Sequence, residues 1–195
     1  MSGEISGPPR PDCARFSNSA EADRYFEKKD RELALAEAPI VSALAEVGEN
    51  VSSVFDLVNT ARPYPAALPV LIEHLRLGGY PPRIMEGLGR ALAVKPAVEW
   101  WRILVDRYLN ARDHGERTGA GVALAACVTK REYDEFVELA RRNINDPHDT
   151  RALFLRSLVR VDRERGWEVV KSLVDDPVCG VQARRMLDQQ RRREE

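Results

Sequence analysis

The chain reads as all-α, an array of antiparallel helix pairs, and three observations carry that prediction. Leu92, Leu124 and Leu158 occupy matching places in three helix-like segments, in the contexts RALAV, VALAA and RSLVR, at spacings of 32 and 34. A second track, Leu71, Leu104, Leu139 and Leu173, runs between them at spacings of 33, 35 and 34. Two interleaved helical tracks with a period in the low thirties are what stacked helix-pair units produce. No segment shows the strict alternation of a half-buried strand.

At 195 residues the chain is long enough for one domain with a real core or one continuous stack. Its 44% hydrophobic and 31% charged residues are those of a soluble globular protein. No run approaches the roughly 18 apolar residues of a membrane span, and MSGEISGPPRPD lacks a basic-then-apolar leader pattern. The expectation is a cytoplasmic protein with no membrane contact. A formal net charge of −1 exerts no global pull toward nucleic acid or anionic lipid. Cys13, Cys127 and Cys179 are an odd set without paired spacing, and the last two lie in apolar helical contexts, where buried free thiols are expected.

Residues 1–16 carry prolines and glycines with almost no apolar periodicity and read as a disordered arm. Asn18 with Glu21 suits the cap of a helix starting near Ser19, whose apolar residues are Tyr25, Phe26, Leu33 and Leu35. Pro39 is expected to end or kink it, with Ile40, Val41, Leu44 and Val47 continuing to a stop at Gly48. Val51, Val54, Phe55 and Val58 follow helical spacing, so residues 17–60 read as capping helices ahead of the regular array at 61–195.

Pro63, Pro65 and Pro69 mark the turn into that array. The first unit pairs Ala67–Leu77 with Arg83–Lys95 across the break GGYPP at 78–82. The second pairs Ala97–Arg112 with Glu116–Thr129, whose glycines and alanines allow close approach to the helix carrying Trp101, Leu104 and Tyr108. The third pairs Arg131–Ile144 with Asp149–Arg163 through the turn DPHD at 146–149, with Asp149 placed as an N-cap. The fourth, Trp167–Asp175 with Val181–Arg192, runs out into QQRRREE.

The segments PPRIMEGLGRAL, DPHDTRALFLRSL and DDPVCGVQARRML share a Pro or Asp turn, an arginine early in the helix, and Ala/Leu spacing. In this they resemble the second helix of HEAT-type repeats, and VFDLVNTARPYPAALPVLIEHL is similar to the lead-in of bacterial HEAT-repeat proteins. The resemblance covers about residues 61–190. It implies a right-handed α-solenoid of about four repeats behind the capping helices. Its second helices would line a concave side that binds a partner.

Charge divides by layer. Segments 81–95, 114–130, 149–165 and 178–195, the second helices, sum to +7, whereas 67–77, 97–112, 131–146 and 166–177 sum to −3. Arg83, Arg90, Arg117, Arg151, Arg156 and Arg160 are therefore candidate partner-binding residues, because a planar guanidinium bonds carboxylate or phosphate bidentately. Arginines paired internally to neighbouring acids would give the same count. Trp100, adjacent to Trp101 and pointing about 100° away from it, is a candidate apolar anchor, while Trp101 and Trp167 suit the core.

Catalytic patterns are thin. The histidines are His74, His114 and His148, the last two in expected turns, with no HExxH and no spaced ligand set. The short GLG and GAG runs sit within helices, and no serine or cysteine occupies a nucleophile elbow. No metal and no cofactor is expected. The leading expectation is a non-enzymatic scaffold that binds a protein partner bearing an acidic segment. The alternative is a nucleic-acid-binding protein or a repair enzyme resembling HEAT-like alkylpurine DNA glycosylases, using Trp100, Trp101, Asp106 and Trp167.

Overall fold

The computed structural model describes residues 19–142 and 149–194. The chain is all-α: the described residues form ten α-helices and two short 3-10 segments, with no strand among them. The arm at 1–16, the cap at Asn18, and Ile144 with the 146–148 part of the DPHD turn lie outside the described residues. No helix among the described residues is long and apolar enough to cross a membrane.

Helix α1 (Ser19–Glu46) runs on through Pro39, which the sequence suggested would end or kink it. A proline removes one bond to the carbonyl four residues earlier. That carbonyl belongs to Leu35, whose side chain is 77% exposed, on a stretch open to water. Beyond it, Ile40 and Leu44 are fully buried and hold the last turns in place. Glu37, also buried, accepts from Ser53 Oγ at 3.0 Å and the Val54 amide at 2.7 Å. It thereby ties α1 to the start of α2 (Val54–Val58), where Ser53 and Asp56 form a capping box.

Helix α3 (Ala67–Leu77) has the bounds its periodicity predicted and stops at Gly78, whose φ of 64° lies in the left-handed region. There follow α4 (Pro82–Ala91), a 3-10 segment (Lys95–Trp100), α5 (Trp101–Leu109), α6 (His114–Cys127) and α7 (Tyr133–Arg141). His114, expected in a turn, opens α6 behind the N-cap Asp113, which accepts the Glu116 amide at 2.9 Å. The helix expected over Asp149–Arg163 is divided into a 3-10 turn (Arg151–Leu153), α8 (Leu155–Val161) and the start of α9 (Arg163–Ser172). The divider is Asp162, whose carboxylate caps α9 by accepting the Arg165 amide at 3.1 Å. Helix α10 (Gly180–Glu194) closes the described chain.

All seven track leucines are buried: Leu71, Leu92, Leu104, Leu124 and Leu158 fully, Leu139 at 4% and Leu173 at 6% exposure. At about 1.5–3 kcal/mol for each fully buried leucine, this periodic set is a major part of what holds the helices together. Helix α1 packs on α3, α2 on α4, α3 on α4 and α5, α5 on α6, α7 on α8, and α9 on both α8 and α10. Trp101, Phe136, Phe154 and Tyr108 form an aromatic chain, with successive ring centroids 6.1, 4.7 and 5.1 Å apart, joining α5, α7 and the entry to α8.

The small residues of α6 let it pack on α5, as the sequence suggested, and more closely still on α4. A Cβ on Gly89 of α4 would lie 2.1 Å from the carbonyl carbon of Gly119, so the closest backbone approach is between α4 and α6. Only Gly121 faces α5, against the Tyr108 ring at 3.2 Å. Cys127 and Cys179 are buried free thiols, and burial pushes both up to about 12, which keeps them protonated and inert.

Candidate functional site

The candidate arginines separate into two groups. Arg117 and Arg151, expected on a partner-facing surface, are instead buried, at 4% and 1% exposure. Arg117 donates to the Tyr108 carbonyl at 3.0 Å, near the end of α5, and lies 5.8 Å over the Tyr108 ring. Arg151 donates to the Ala140 carbonyl at 3.1 Å, near the end of α7. The two arginines stand one period of the leucine tracks apart, and each ties the start of one helical element to the end of the helix before it.

Arg151 does more. Its Nε donates to Asp149 at 2.6 Å, and its two Nη atoms donate to the two oxygens of Asp176 at 3.1 and 3.2 Å. Asp176 also accepts the amides of Val178 and Cys179 at 2.9 and 2.8 Å, ahead of α10. Burial pushes the Asp176 carboxyl up, but the Cys179 and Val178 amides and the Arg151 guanidinium outweigh it and hold the group below its ordinary value. Every strong partner of Arg151 is internal. Its role is to join α7, α8 and α10.

The remaining candidates lie at the surface. Arg83 is exposed and stacks 5.5 Å over the Phe55 ring. Arg90 is ion-paired with Glu86 at 2.7 Å, one turn earlier on α4. Together with Arg62, itself paired with Glu49, Arg90 edges a mostly apolar cleft of about 540 Å³ below the 59–66 loop, with Tyr64, Leu68 and Val122 in its wall. Trp100 is half-buried against the core at the layer boundary.

Arg156 and Arg160 converge on a groove of about 440 Å³ between α8, α9 and α10. One wall is Arg156, Val159 and Arg160, at i, i+3 and i+4 on α8, continued beyond the Asp162 break by Arg163, the first residue of α9. The opposite wall is a stripe on α10 at i, i+3, i+4 and i+7: Met186, Gln189, Gln190 and Arg193. Trp167 of α9 lies between them, half-buried. Gly166 places it there, because a Cβ on Gly166 would come within 2.6 Å of the Leu158 carbonyl and the Val159 Cα, so α9 can cross α8 in near backbone contact.

The electrostatics of this groove are one-sided. Four arginines line it and no carboxylate does, and among residues 19–142 and 149–193 no carboxylate lies in ion-pair range of Arg156, Arg160, Arg163 or Arg193. Arg160 has a partial partner, since its Nη2 donates to the Ala125 carbonyl at 2.9 Å at the end of α6. Arg165, two positions beyond Arg163, turns the other way, onto Asp134 at 2.5 Å and over the Tyr133 ring at 4.8 Å. Guanidinium groups stay protonated at all relevant pH values, so the lining has no general base and no nucleophile. What it can do is bind an anion, with Trp167 and Met186 offering apolar contact beside the charge.

Sequence reasoning named Arg156 and Arg160 but missed Arg163, Arg193 and Met186; Trp167, read as core, does pack against the core while lining the groove. The available signal was the pair of i, i+3, i+4, i+7 stripes at 156–163 and 186–193. The tryptophan set of the repair-enzyme alternative is not brought to one cleft. Trp101 is 5% exposed and donates its indole N–H to Glu135 at 2.8 Å, in a cleft with Glu99 and Arg131, whereas Trp167 lines the α8–α10 groove. No family model, no curated protein and no solved structure matches the chain.

Proposed function

We propose that the chain is a HEAT-like right-handed α-solenoid, a non-enzymatic scaffold whose arginine-bearing second-helix layer binds an acidic segment of a protein partner. The solenoid reading is supported by the order of neighbours, in which α1, α3 and α5 pack in succession and α2, α4 and α6 do the same. It is also supported by the matching helix-end bonds of Arg117 and Arg151, which recur with the period of the leucine tracks.

The single observation that carries the binding reading is the groove around Trp167, where four arginines meet with no carboxylate in reach among residues 19–142 and 149–193. Arg90, Arg102 and Arg165, elsewhere on the surface, are by contrast each paired with a carboxylate. Like charges gathered in one groove repel one another, and an arriving carboxylate relieves that repulsion. Arg83, Arg156 and Arg160 stay in the proposed surface, joined by Arg163 and Arg193. Arg90, ion-paired with Glu86 on α4, and the half-buried Trp100 line no part of the α8–α10 groove.

A second reading has an observation of its own: an aromatic ring between arginines is also how single-stranded nucleic acids are held. The test is capture from lysate by the wild-type chain and by the R156E/R163E variant, each with and without nuclease. A defined acidic protein, retained after nuclease and lost with the variant, is the expected outcome. Capture that disappears with nuclease would transfer the groove to nucleic acid.

A further inference from the structure

We infer that the α8–α10 groove recognises a bipartite segment, a bulky apolar side chain flanked by carboxylates, rather than negative charge alone; this rests on the acidic-partner reading above. The groove is not uniformly basic. Val159, the half-buried Trp167 and the edge of the buried Met186 give it an apolar part beside Gln189 and Gln190, and Arg156, Arg163 and Arg193 are exposed around it. A polyacidic segment would place carboxylates on the arginines and leave the indole and thioether against water or against polar chain. A segment with an apolar side chain at its centre covers both surfaces at once.

The spacing on α10 sets the scale of such a segment. Met186 and Arg193 are seven residues apart on one face of that helix, which is about 10 Å of helix axis at 1.5 Å per residue. An extended peptide advances about 3.3 Å per residue. A side chain seated on Met186 and Trp167 therefore has the Arg193 guanidinium opposite a residue about three positions along the peptide. An aromatic or long aliphatic residue with Glu or Asp three positions along is the pattern that fits, and an acid on each side presents it to Arg193 in either chain direction.

Isothermal titration calorimetry of the full chain with two synthetic peptides tests this. Both carry glutamates three residues either side of the centre, with phenylalanine at the centre of one and serine at the centre of the other. Varying the ligand avoids any dependence on whether a Trp167 variant folds. The phenylalanine peptide is expected to bind at least tenfold more tightly. R163E should abolish both, because that position opens α9, where an acidic residue favours the helix dipole and folding is preserved. Equal affinity for the two peptides, both lost in R163E, would overturn the bipartite inference and leave the acidic-partner reading standing. No binding of either at millimolar concentration would overturn both. An oligothymidylate that binds more tightly than the phenylalanine peptide would also overturn both, in favour of nucleic acid.

Discussion

The joint around Arg151 and the groove around Trp167 lie in the same third of the chain and use the same side chain in opposite ways. At the joint one guanidinium is surrounded: two carboxylates and a carbonyl take its N–H groups, and 1% of its surface remains exposed. At the groove four guanidinium groups stand together with no carboxylate in reach among residues 19–142 and 149–193. The difference teaches that an arginine's role is decided by its acceptors. Where acceptors are internal the charge contributes to folding. Where no carboxylate is near, the charge stays at the surface.

The largest effect that would test this contrast is on stability. Arg151→Ala strands Asp149 and Asp176, of which Asp149 has a side chain only 2% exposed. Removing one partner of a buried ion pair costs about 3–5 kcal/mol. Urea denaturation should show a loss of that order in the folding free energy. A loss below about 1 kcal/mol, the scale of an exposed ion pair, would mean the joint is not the organising contact described above.

A second effect concerns pH. Asp176 is held below its ordinary carboxyl value in the fold, so the stability it contributes is present above the unfolded value and disappears as pH falls through the folded one. Replacing Arg151 with Met removes one of the groups holding that value down and should move the acid-unfolding midpoint, followed by circular dichroism, to higher pH. Arg156→Met, in the groove, should leave that midpoint where it is. Equal shifts in both variants would erase the distinction between the two regions.

The smallest effect sharpens the other half of the comparison. Arg156 and Arg160 stand four residues apart on α8, and like charges so placed destabilise by about 0.2–0.5 kcal/mol per pair. Arg156→Ala should therefore raise the melting temperature slightly at low salt, and the gain should fade as added salt screens the repulsion. A clear destabilisation instead would show that Arg156 has an internal partner after all.

Much of the fold was legible in the residues themselves. The all-α class, the burial of the seven track leucines, the bounds of α3 and the break at Gly78 all follow from local periodicity and from glycine's access to positive φ. Other features depended on partners distant in sequence. Pro39 stays within α1 because Ile40 and Leu44 are buried against later elements. Asp162, by contrast, separates α8 from α9 through a local contact, its carboxylate capping the next helix at the Arg165 amide three residues on. The glycines of α6 revealed close packing, but not that the closest partner is α4.

The arginines mark the boundary most sharply. Counting charge by segment could not sort the individual side chains, because a formal charge is local and its neutralisation is not. Arg117 and Arg151 recur with the period of the leucine tracks, and that recurrence was the available sign that they belong to the joints between helices. The sequence by itself determined helicity, the apolar faces and an excess of arginine in alternate segments, all of which depend on neighbours within a few turns. Only the tertiary structure decided which arginines meet a carboxylate, since Asp176 reaches Arg151 across 25 residues and nothing described reaches Arg156, Arg163 or Arg193 in that way.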